Sequence, residues 1–390
     1  MARLRDVDIV GVATTPFGKH LDRSLGSLAG EAAEGALADA GLAPTDVEYV
    51  VFSNAAEGVL TGQEMIRGQV ALKGTALAGL PIINTENACA SGSAAAHLAW
   101  LAVASGLVDT AIAIGAEKLH HADKARSFLA IESGTDLTLD REGAEVAGSS
   151  VMMGAYAKEA RAYAQRYGDI TAALAAIACK NRAYASDNPY AQFRTPITAD
   201  DVAASRLVAD PLRLLTCSPL TDGAAALVFR PAGTGVTGGR PAVRVAVSTS
   251  VSNGPEGPVV ARASQSAYTQ AGIGPDEVNV FQLHDACAFA ELLQYEQVGI
   301  AAPGTAAAAV QEGRTGPGGD SPVNTDGGLL SRGHALGATG LAQLAELVRQ
   351  LRGEAGARQV PNARHGLCVN AGGWMGTDYA TAFATLLVKA

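Results

Sequence analysis

Residues 38–55 read ADAGLAPTDVEYVVFSNA and residues 269–286 read TQAGIGPDEVNVFQLHDA, and the two stretches align without a gap. Each copy predicts the end of a helix at a glycine, Gly41 or Gly272, then a turn through a proline and an apolar strand. A repeat of this kind indicates that the chain consists of two similar halves.

The sequence that follows each copy is also similar in the two halves. In the first half, a helix rich in small residues begins at Cys89 and leads into the strand VDTAIAIGA. In the second half, a similar helix follows His334 and leads into RHGLCVNAGG. Alternating helices and strands are typical of a parallel sheet with helices on both faces, so we predict a duplicated α/β fold.

A linker rich in proline and glycine, PAGTGVTGGRP at residues 231–241, separates the halves. We place the boundary at Gly238, which gives an N-terminal half of residues 1–238 and a C-terminal half of residues 239–390. Residues 119–205 have no counterpart in the second half and are mostly helical in pattern. We interpret them as an inserted loop domain that covers a site. A passive helical excursion is the alternative, because long insertions cost little entropy.

Composition and charge exclude several classes of function. The chain has 390 residues, enough for two or three domains. With 29 Lys+Arg against 38 Asp+Glu, its net charge of -9 predicts no binding to nucleic acid or to an anionic membrane. The most apolar stretch, residues 94–108, contains His97 and Ser105 and predicts a buried helix rather than a membrane span. Five cysteines without a CxxC pair fit a reducing cytoplasm, and the N-terminal sequence predicts no signal peptide.

Four motifs follow one another along the chain: NACASGSAAAHLA, SPLTDGAAALVF, QLHDACAFAELLQYEQVG and NTDGGLLSRGHALGATG. With these motifs the chain resembles the thiolase superfamily nearly from end to end. It looks most like the sterol-carrier-protein-type thiolases, because His284 and Asp285 stand where other thiolases have an Asn-Glu pair. The resemblance implies a five-layered α/β/α/β/α fold, a homodimer or homotetramer, and acyl-CoA thioesters as substrates.

Cys89 is the predicted nucleophile. It stands just before the small residues that begin a helix, so its sulfur should face first-turn N–H groups, which favour a thiolate. Such a position can lower the pKa of a thiol from about 8.5 towards neutrality. In the thiolases the histidine of a GHxxG motif activates the nucleophile, and the resemblance gives this role to His334. It gives His284 a hydrogen-bonding role at the oxyanion or the acyl group; a histidine bonded to backbone at a strand end is the alternative.

Claisen chemistry needs a second group that moves a proton at the α-carbon of the acyl acceptor. Cys368, in LCVNAGGWMG, resembles the cysteine of the CxG motif of many thiolases, although Asn370 replaces the glycine. The N–H groups of Gly372 and Gly373 could still face a thioester oxygen. Cys287 is the competitor, because relatives with an HDCF motif have their catalytic cysteine one position earlier. We favour Cys368, and a third option is that neither thiol is catalytic.

The sequence therefore predicts a thiolase-like acyltransferase in which Cys89 carries the acyl group through a ping-pong cycle of thiolysis or condensation. Three residues depart from the family pattern, Ala286, Asn370 and Trp374, and Trp374 is expected to narrow the pocket. They motivate an alternative, C-acylation or retro-aldol cleavage together with an OB-fold partner subunit. A non-catalytic scaffold that binds acyl-CoA is the third hypothesis. No metal and no permanently bound cofactor are expected, since coenzyme A enters as part of the substrate.

Overall fold

The computed structural model describes residues 4–138, 151–234 and 240–390. Its strands are β1 Val7–Thr14, β2 Tyr49–Ser53, β3 Ile82–Thr85, β4 Ala111–Glu117, β5 Leu207–Ala209, β6 Leu212–Arg213, β7 Gly223–Pro231, β8 Val243–Ser252, β9 Val280–Gln282, β10 His365–Gly372 and β11 Thr381–Lys389. Its helices are α1 Leu25–Ala40, α2 Glu57–Thr61, α3 Arg67–Leu72, α4 Ser91–Ala104, α5 Lys124–Glu132, α6 Val151–Tyr167, α7 Thr171–Ser186, α8 Ala199–Ala204, α9 Val259–Ala271, α10 Ala288–Gln297, α11 Ala306–Gln311, α12 Gly328–Ser331 and α13 Leu336–Arg352.

Within the described residues, nine strands form one sheet in the order β3-β2-β4-β7-β1-β8-β11-β10-β9. The two halves join edge to edge where β1 pairs with β8, through Asp8 opposite Arg244 and Ile9 opposite Val243. Around this junction the order of β2, β4, β7 and β1 is mirrored by β9, β10, β11 and β8. The duplication predicted from the repeat is therefore visible in the order of the strands.

The sheet is mixed, whereas the sequence pattern predicted a parallel one. β2 pairs in parallel with β3 and β4, and β9 with β10. β7 is antiparallel to β4 and β1, and β11 is antiparallel to β10 and β8. The alternation of helix and strand thus predicted only the parallel pairs of strands, which helical crossovers connect. β10 and β11 are joined by the short segment 373–380, which favours antiparallel pairing.

Helices α4 and α13 pack against each other in the middle of the molecule, with strands of both halves around them. α1 covers the sheet of the N-terminal half and α9 that of the C-terminal half, which gives the five layers expected from the resemblance. Glycine is required where α4 meets the start of α13, because a Cβ atom on Gly92 would lie 2.9 Å from the oxygen of Gly337. α4 is the buried helix predicted over residues 94–108, and no helix of the described chain is long and apolar enough to cross a membrane.

The predicted insertion contains α5, α6, α7 and α8 and packs mainly against the C-terminal half, with α7 against α10, α11 and α12. Residues 139–150 of this insertion and the predicted domain boundary at Gly238 lie outside the described residues. The division of the chain at Gly238 therefore stays a prediction.

Candidate active site

Cys89 lies on a short 3-10 turn, Ala88–Ala90, between β3 and α4. Ala88 has a φ of 47°, in the left-handed region that residues with a side chain rarely adopt. Ser91 stabilises the turn, because its hydroxyl donates to the oxygen of Ala88 at 2.6 Å and accepts from the N–H of Asn87 at 2.9 Å. Such a conformation costs about 1–3 kcal/mol and is concentrated at functional sites.

Three of the predicted site residues come together, and they belong to different halves of the chain. The sulfur of Cys89, a ring nitrogen of His284 and a ring nitrogen of His334 all lie within 4.8 Å of one another. His284 follows β9, and His334 comes from the loop that precedes α13. The two imidazole rings meet edge to face with centroids 5.3 Å apart. Both histidines are buried, and Cys89 keeps some exposed surface although protein surrounds its thiol closely enough to exclude most of the solvent.

The hydrogen bonds of His334 determine which of its nitrogens can accept a proton. Its Nδ1 lies 2.8 Å from the hydroxyl of Thr339, which donates its own proton to the oxygen of Ala335 at 3.0 Å. Nδ1 must therefore carry the ring proton and donate it to Thr339. Nε2 has a lone pair, is buried, and has no hydrogen-bond partner among the described residues. Burial lowers the pKa of His334 well below its ordinary value, and His284 and Arg332 add to this, so the ring is a neutral base.

His284 has the opposite tautomer. Its Nδ1 lies 3.1 Å from the amide nitrogen of Asn370, and the amide oxygen of Asn370 accepts from the hydroxyl of Ser93 at 3.2 Å. Asn370 therefore donates to Nδ1, which places the ring proton of His284 on Nε2. Burial lowers the pKa of His284 to about 3, so this ring is also neutral. Asn370, which the sequence showed only as a departure from the family motif, makes His284 a hydrogen-bond donor.

The thiol of Cys89 differs from the sequence expectation. Burial raises its pKa to about 12, and the negative charges of Glu117 and Glu86 contribute in the same direction. A helix N-terminus stabilises a charge by at most about 2 kcal/mol, which does not offset loss of solvent together with two nearby carboxylates. The resting side chain is therefore a protonated thiol, and a base must remove its proton during the reaction.

Glu117, at the end of β4, is a fully buried carboxylate that the sequence reasoning did not identify. One of its oxygens accepts from the side chain of Asn54 at 2.8 Å and from the N–H of Ala56 at 3.1 Å. The other accepts from the N–H of Ala55 at 2.9 Å and of Gly337 at 3.0 Å. Burial raises the pKa of Glu117 to about 7, against the lowering effect of the backbone N–H groups. The carboxylate thus joins the N-terminal half to the first turn of α13, three residues after His334.

Cys89 and His334 face a pocket of about 250 Å³. The walls of the pocket are mainly apolar and include Leu119, Ile131, Met152, Met153, Tyr156, Leu220 and Leu336, several of them from the insertion. Phe128 and Leu214 also line the pocket and are 46% and 49% exposed, so this side is open to solvent. The exposed side chain of Arg206 lies on the same side.

Neither of the two other predicted thiols lines this pocket. Cys368 is on β10, two residues before Asn370, and is buried in the apolar core together with residues of α4 and α13. Cys287 is also buried and occupies the N-cap position of α10 without a side-chain hydrogen bond to the helix. Because the helix begins only after Cys287, His284 and Cys287 do not share a helix face.

Gly372 and Gly373 end β10 beside the turn of Cys89. A Cβ atom on Gly372 would lie 2.2 Å from the oxygen of Asn87, so the backbone at this position approaches the turn closely. Gly373 has a φ of 67°, a conformation in which glycine is favoured. The backbone of Gly372 is therefore next to the turn of Cys89, and the oxyanion role of the two glycines stays a prediction.

A thiol and two imidazoles are also a donor set that zinc can use. In this site the nitrogen of His284 that is not bonded to Asn370 carries a proton, and only His334 has a nitrogen lone pair without a partner. The arrangement of donor and acceptor fits proton transfer better than metal binding.

Models of known families match both halves of the chain. The model described as "Thiolase, N-terminal domain" matches residues 7–233, and "Thiolase C-terminal domain-like" matches residues 253–385. Among solved structures, "Ltp2-ChsH2(DUF35) aldolase" is similar with a TM-score of 0.79, 24% identity and coverage of 100% of this chain and 99% of that chain. Human mitochondrial 3-ketoacyl-CoA thiolase has a TM-score of 0.71 and 15% identity, with both chains covered completely.

Curated relatives are similar over nearly the whole of this chain. The chain is 37% identical over 390 residues to the acetyl-CoA acetyltransferase of Methanothermobacter thermautotrophicus, covering 98% of this chain and 100% of the relative. It is 37% identical over 368 residues to benzoylsuccinyl-CoA thiolase subunit BbsB of Thauera aromatica, covering 91% of each. Human sterol carrier protein 2 is 33% identical, covering 95% of this chain and 70% of the relative. Together with the family models, these matches show that the chain belongs to the thiolase family.

Proposed function

We propose that the protein is an acyltransferase that acts on acyl-CoA thioesters through an acyl-enzyme on Cys89, in thiolysis or in Claisen condensation. The observation that carries the proposal is the pairing of two neutral imidazoles of opposite tautomer next to one thiol. His334 supplies a proton acceptor and His284 a proton donor, which are the two groups that acyl transfer to a thiol requires.

In the first half-reaction, Nε2 of His334 takes the proton of Cys89, and the sulfur attacks the carbonyl carbon of the thioester. The carbonyl oxygen becomes negative and accepts a hydrogen bond from Nε2–H of His284. The bond between the carbonyl carbon and the sulfur of coenzyme A then breaks, and the leaving thiolate takes the proton from His334. The raised pKa of Cys89 makes this proton transfer necessary, because little thiolate is present at rest.

The second half-reaction transfers the acyl group to free coenzyme A or to a second thioester, and condensation needs a further acid or base. Cys287 directly follows Ala286, which lines the pocket. Cys368 does not line the pocket and is buried in the apolar core with residues of α4 and α13. This placement supports Cys287 over Cys368, although the sequence motif favoured the latter.

The solvent-exposed side of the pocket is the proposed entrance for coenzyme A. Phe128 and Leu214 offer apolar surface to the pantetheine arm, and Arg206 offers a guanidinium for its phosphates. The thioester then reaches Cys89 with its acyl group pointing inwards.

Mass spectrometry of the intact protein tests the acyl-enzyme. After incubation with acetyl-CoA, the wild type should carry one acetyl group, Cys89→Ser should carry none, and the control Cys179→Ser, which changes a partly buried thiol on α7, should react as the wild type does. Absence of an adduct on the wild type with several acyl-CoAs would support the scaffold hypothesis instead.

A partner subunit is a second candidate feature, because one of the relatives at 37% identity is named as a subunit. The departures at Ala286 and Trp374 support the same idea. Purified chain incubated with a 3-ketoacyl-CoA and coenzyme A provides the test. Thiolysis by the chain alone would rule out a need for an OB-fold partner.

We also propose that two copies of the chain associate through the free edge of β3. The opposite edge of the sheet, β9, is covered by the chain itself, since Phe281 bonds to Pro322 and Asn324 at 2.9 Å each. β3 has no further backbone segment paired with it in the described residues; Gln69 of α3 donates to the oxygen of Ile82 at 3.1 Å, and Ile83 is 44% exposed. An uncovered edge strand with apolar side chains is a pairing surface.

Neighbouring elements extend this apolar surface. Leu98 and Leu101 on α4 are each 38% exposed, and α4 packs against β3. Light scattering should show a dimer for the wild type and a monomer for the double variant Ile83→Lys, Leu98→Glu. The control Leu21→Glu, which changes an exposed leucine outside the contact, should remain dimeric. A monomeric wild type would contradict the proposal.

A further inference from the structure

A second pocket, of about 570 Å³, lies behind the active site between α6, α10 and residues 374–379. Three aromatic side chains, Tyr156, Trp374 and Tyr379, line it on the side of the active site, and we call them the aromatic wall. Tyr156 lines both this pocket and the pocket of Cys89. The two spaces are therefore neighbours that share this ring.

The aromatic wall is closely packed. The hydroxyls of Tyr156 and Tyr379 are hydrogen-bonded at 3.0 Å, and the ring of Trp374 lies 6.0 Å from the first ring and 5.9 Å from the second. All three side chains are buried. The backbone of Trp374 is fixed by bonds from its N–H to Gly134 at 3.0 Å and from the N–H of Asp136 to its oxygen at 2.8 Å. The wall is therefore held in place by contacts on both sides.

The wall lies where the acyl group of a bound thioester should end. Tyr379 meets His284 edge to face at 5.8 Å, and Tyr156 shares a pocket with Cys89 and His334. Because coenzyme A leaves towards the exposed side at Phe128, the acyl group must point the other way, at the wall. The whole pocket of Cys89, including its exposed side, has a volume of about 250 Å³, which is below the range of roughly 300–1,000 Å³ typical of pockets for larger organic ligands, so the part left for the acyl group is small.

The second pocket has the composition of a site for an organic group. Phe289, Ala290 and Leu293 make its inner part apolar. Glu159 and Asp378 line it as well, and burial together with the nearby charge of Asp378 raises the pKa of Glu159 to about 7. A carboxyl group that is partly protonated near neutral pH can both donate and accept a hydrogen bond.

We propose that the aromatic wall determines substrate specificity, because it restricts the acyl group on Cys89 to small ones and separates them from the second pocket, which can hold the ring of an aryl acyl group. This inference rests on the proposed function. Tyr156 is the decisive barrier, since it is the one residue of the described chain that lines both spaces, and most of its bulk is the ring. Shortening Tyr156 should join the pockets.

The test compares the rates at which acetyl-CoA and phenylacetyl-CoA form the adduct on Cys89, measured by intact-protein mass spectrometry. For Tyr156→Ala the ratio of phenylacetyl to acetyl rate should rise at least about tenfold over the wild type, a difference of about 1.4 kcal/mol. Tyr156→Phe is the matched control: it keeps the ring and should keep the wild-type ratio. Truncation of a buried side chain can prevent folding, so two further variants are measured. Tyr156→Leu should raise the ratio of phenylacetyl to acetyl rate, and Trp374→Phe should leave this ratio unchanged.

Two results would overturn the inference: a wild type that reacts with phenylacetyl-CoA as fast as with acetyl-CoA, or folded Ala and Leu variants with the wild-type ratio. A raised ratio in Tyr156→Phe would also overturn it, because the hydroxyl pair and not the ring would then be the barrier. Failure of the proposed function looks different, since the wild type would then form no adduct with either thioester.

Discussion

Substitution of Glu117 by glutamine should loosen the junction between the two halves at the active site. The carboxylate accepts four hydrogen bonds, two on each oxygen, from Asn54, Ala55, Ala56 and Gly337. Glutamine has almost the same shape but only one oxygen. Whichever way its amide is turned, the NH₂ group faces two donors, so two buried donors lose their acceptor.

The structure allows the size of this effect to be estimated. Each buried donor left without a partner costs about 1–3 kcal/mol, which gives roughly 2–6 kcal/mol for the pair. A neutral amide is less costly to bury than a carboxylate, which offsets part of this sum. We therefore expect the local free energy of opening to fall by about 2–4 kcal/mol. The lower value corresponds to roughly a 30-fold increase in amide exchange at this junction.

Hydrogen–deuterium exchange read by mass spectrometry checks this prediction through peptides that contain Ala55, Ala56 and Gly337. The matched control is Glu57→Gln, which removes a neighbouring negative charge but none of the four bonds. Exchange in these peptides should rise in Glu117→Gln and stay unchanged in the control. Wild-type protection in Glu117→Gln, or an equal rise in the control, would refute the reasoning.

Four further predictions concern the chemistry. His334→Ala should slow acetylation of Cys89 by about 10²–10⁴-fold in single-turnover measurements, as expected for loss of a general base, whereas Thr339→Val should cost less because it disturbs only the tautomer. Asn370→Asp should place a carboxylate against His284 and raise the pKa of its ring, which NMR titration can follow; an unchanged pKa would contradict the assigned hydrogen bond. Because burial lowers the pKa of His284 to about 3 and that of His334 well below its ordinary value, both rings stay neutral as the pH falls, so the acetylation rate should show no acid limb near about 6.5. Cys287→Ala should lose thiolysis while keeping acetylation, and Cys368→Ala should keep both; the reverse pattern would return the second role to Cys368.

The duplicated fold and three members of the site could be predicted from the sequence because they depend on local patterns. The repeat around Gly41 and Gly272 carries its own turn signals, and both glycines end helices in the left-handed conformation. Cys89 and His334 each stand before a central helix. Once the two halves are aligned, the sequence therefore predicts that these two residues lie close together. The antiparallel partners of β7 and β8 could not be read in this way, because these strands pair with strands distant in the sequence.

Other features of the site depend on contacts between distant parts of the chain, which no local motif records. Asn370 forms hydrogen bonds to Ser93, 277 positions away in the sequence, and to His284. Its effect on the tautomer of His284 therefore depends on the folded structure and could not be predicted from the sequence. The pKa of Cys89 was predicted in the wrong direction, because a helix terminus is visible in the sequence while burial and the approach of Glu117 are not.

The sulfur and the base occupy corresponding places in the two halves, since Cys89 precedes α4 and His334 precedes α13. An ancestor made of one half, paired with an identical copy, would have presented the same side chain twice at this place. Fusion of the copies into one polypeptide freed each position to change independently. One copy could then hold the acyl group and the other the proton, a division of labour that a symmetric pair of identical chains cannot achieve.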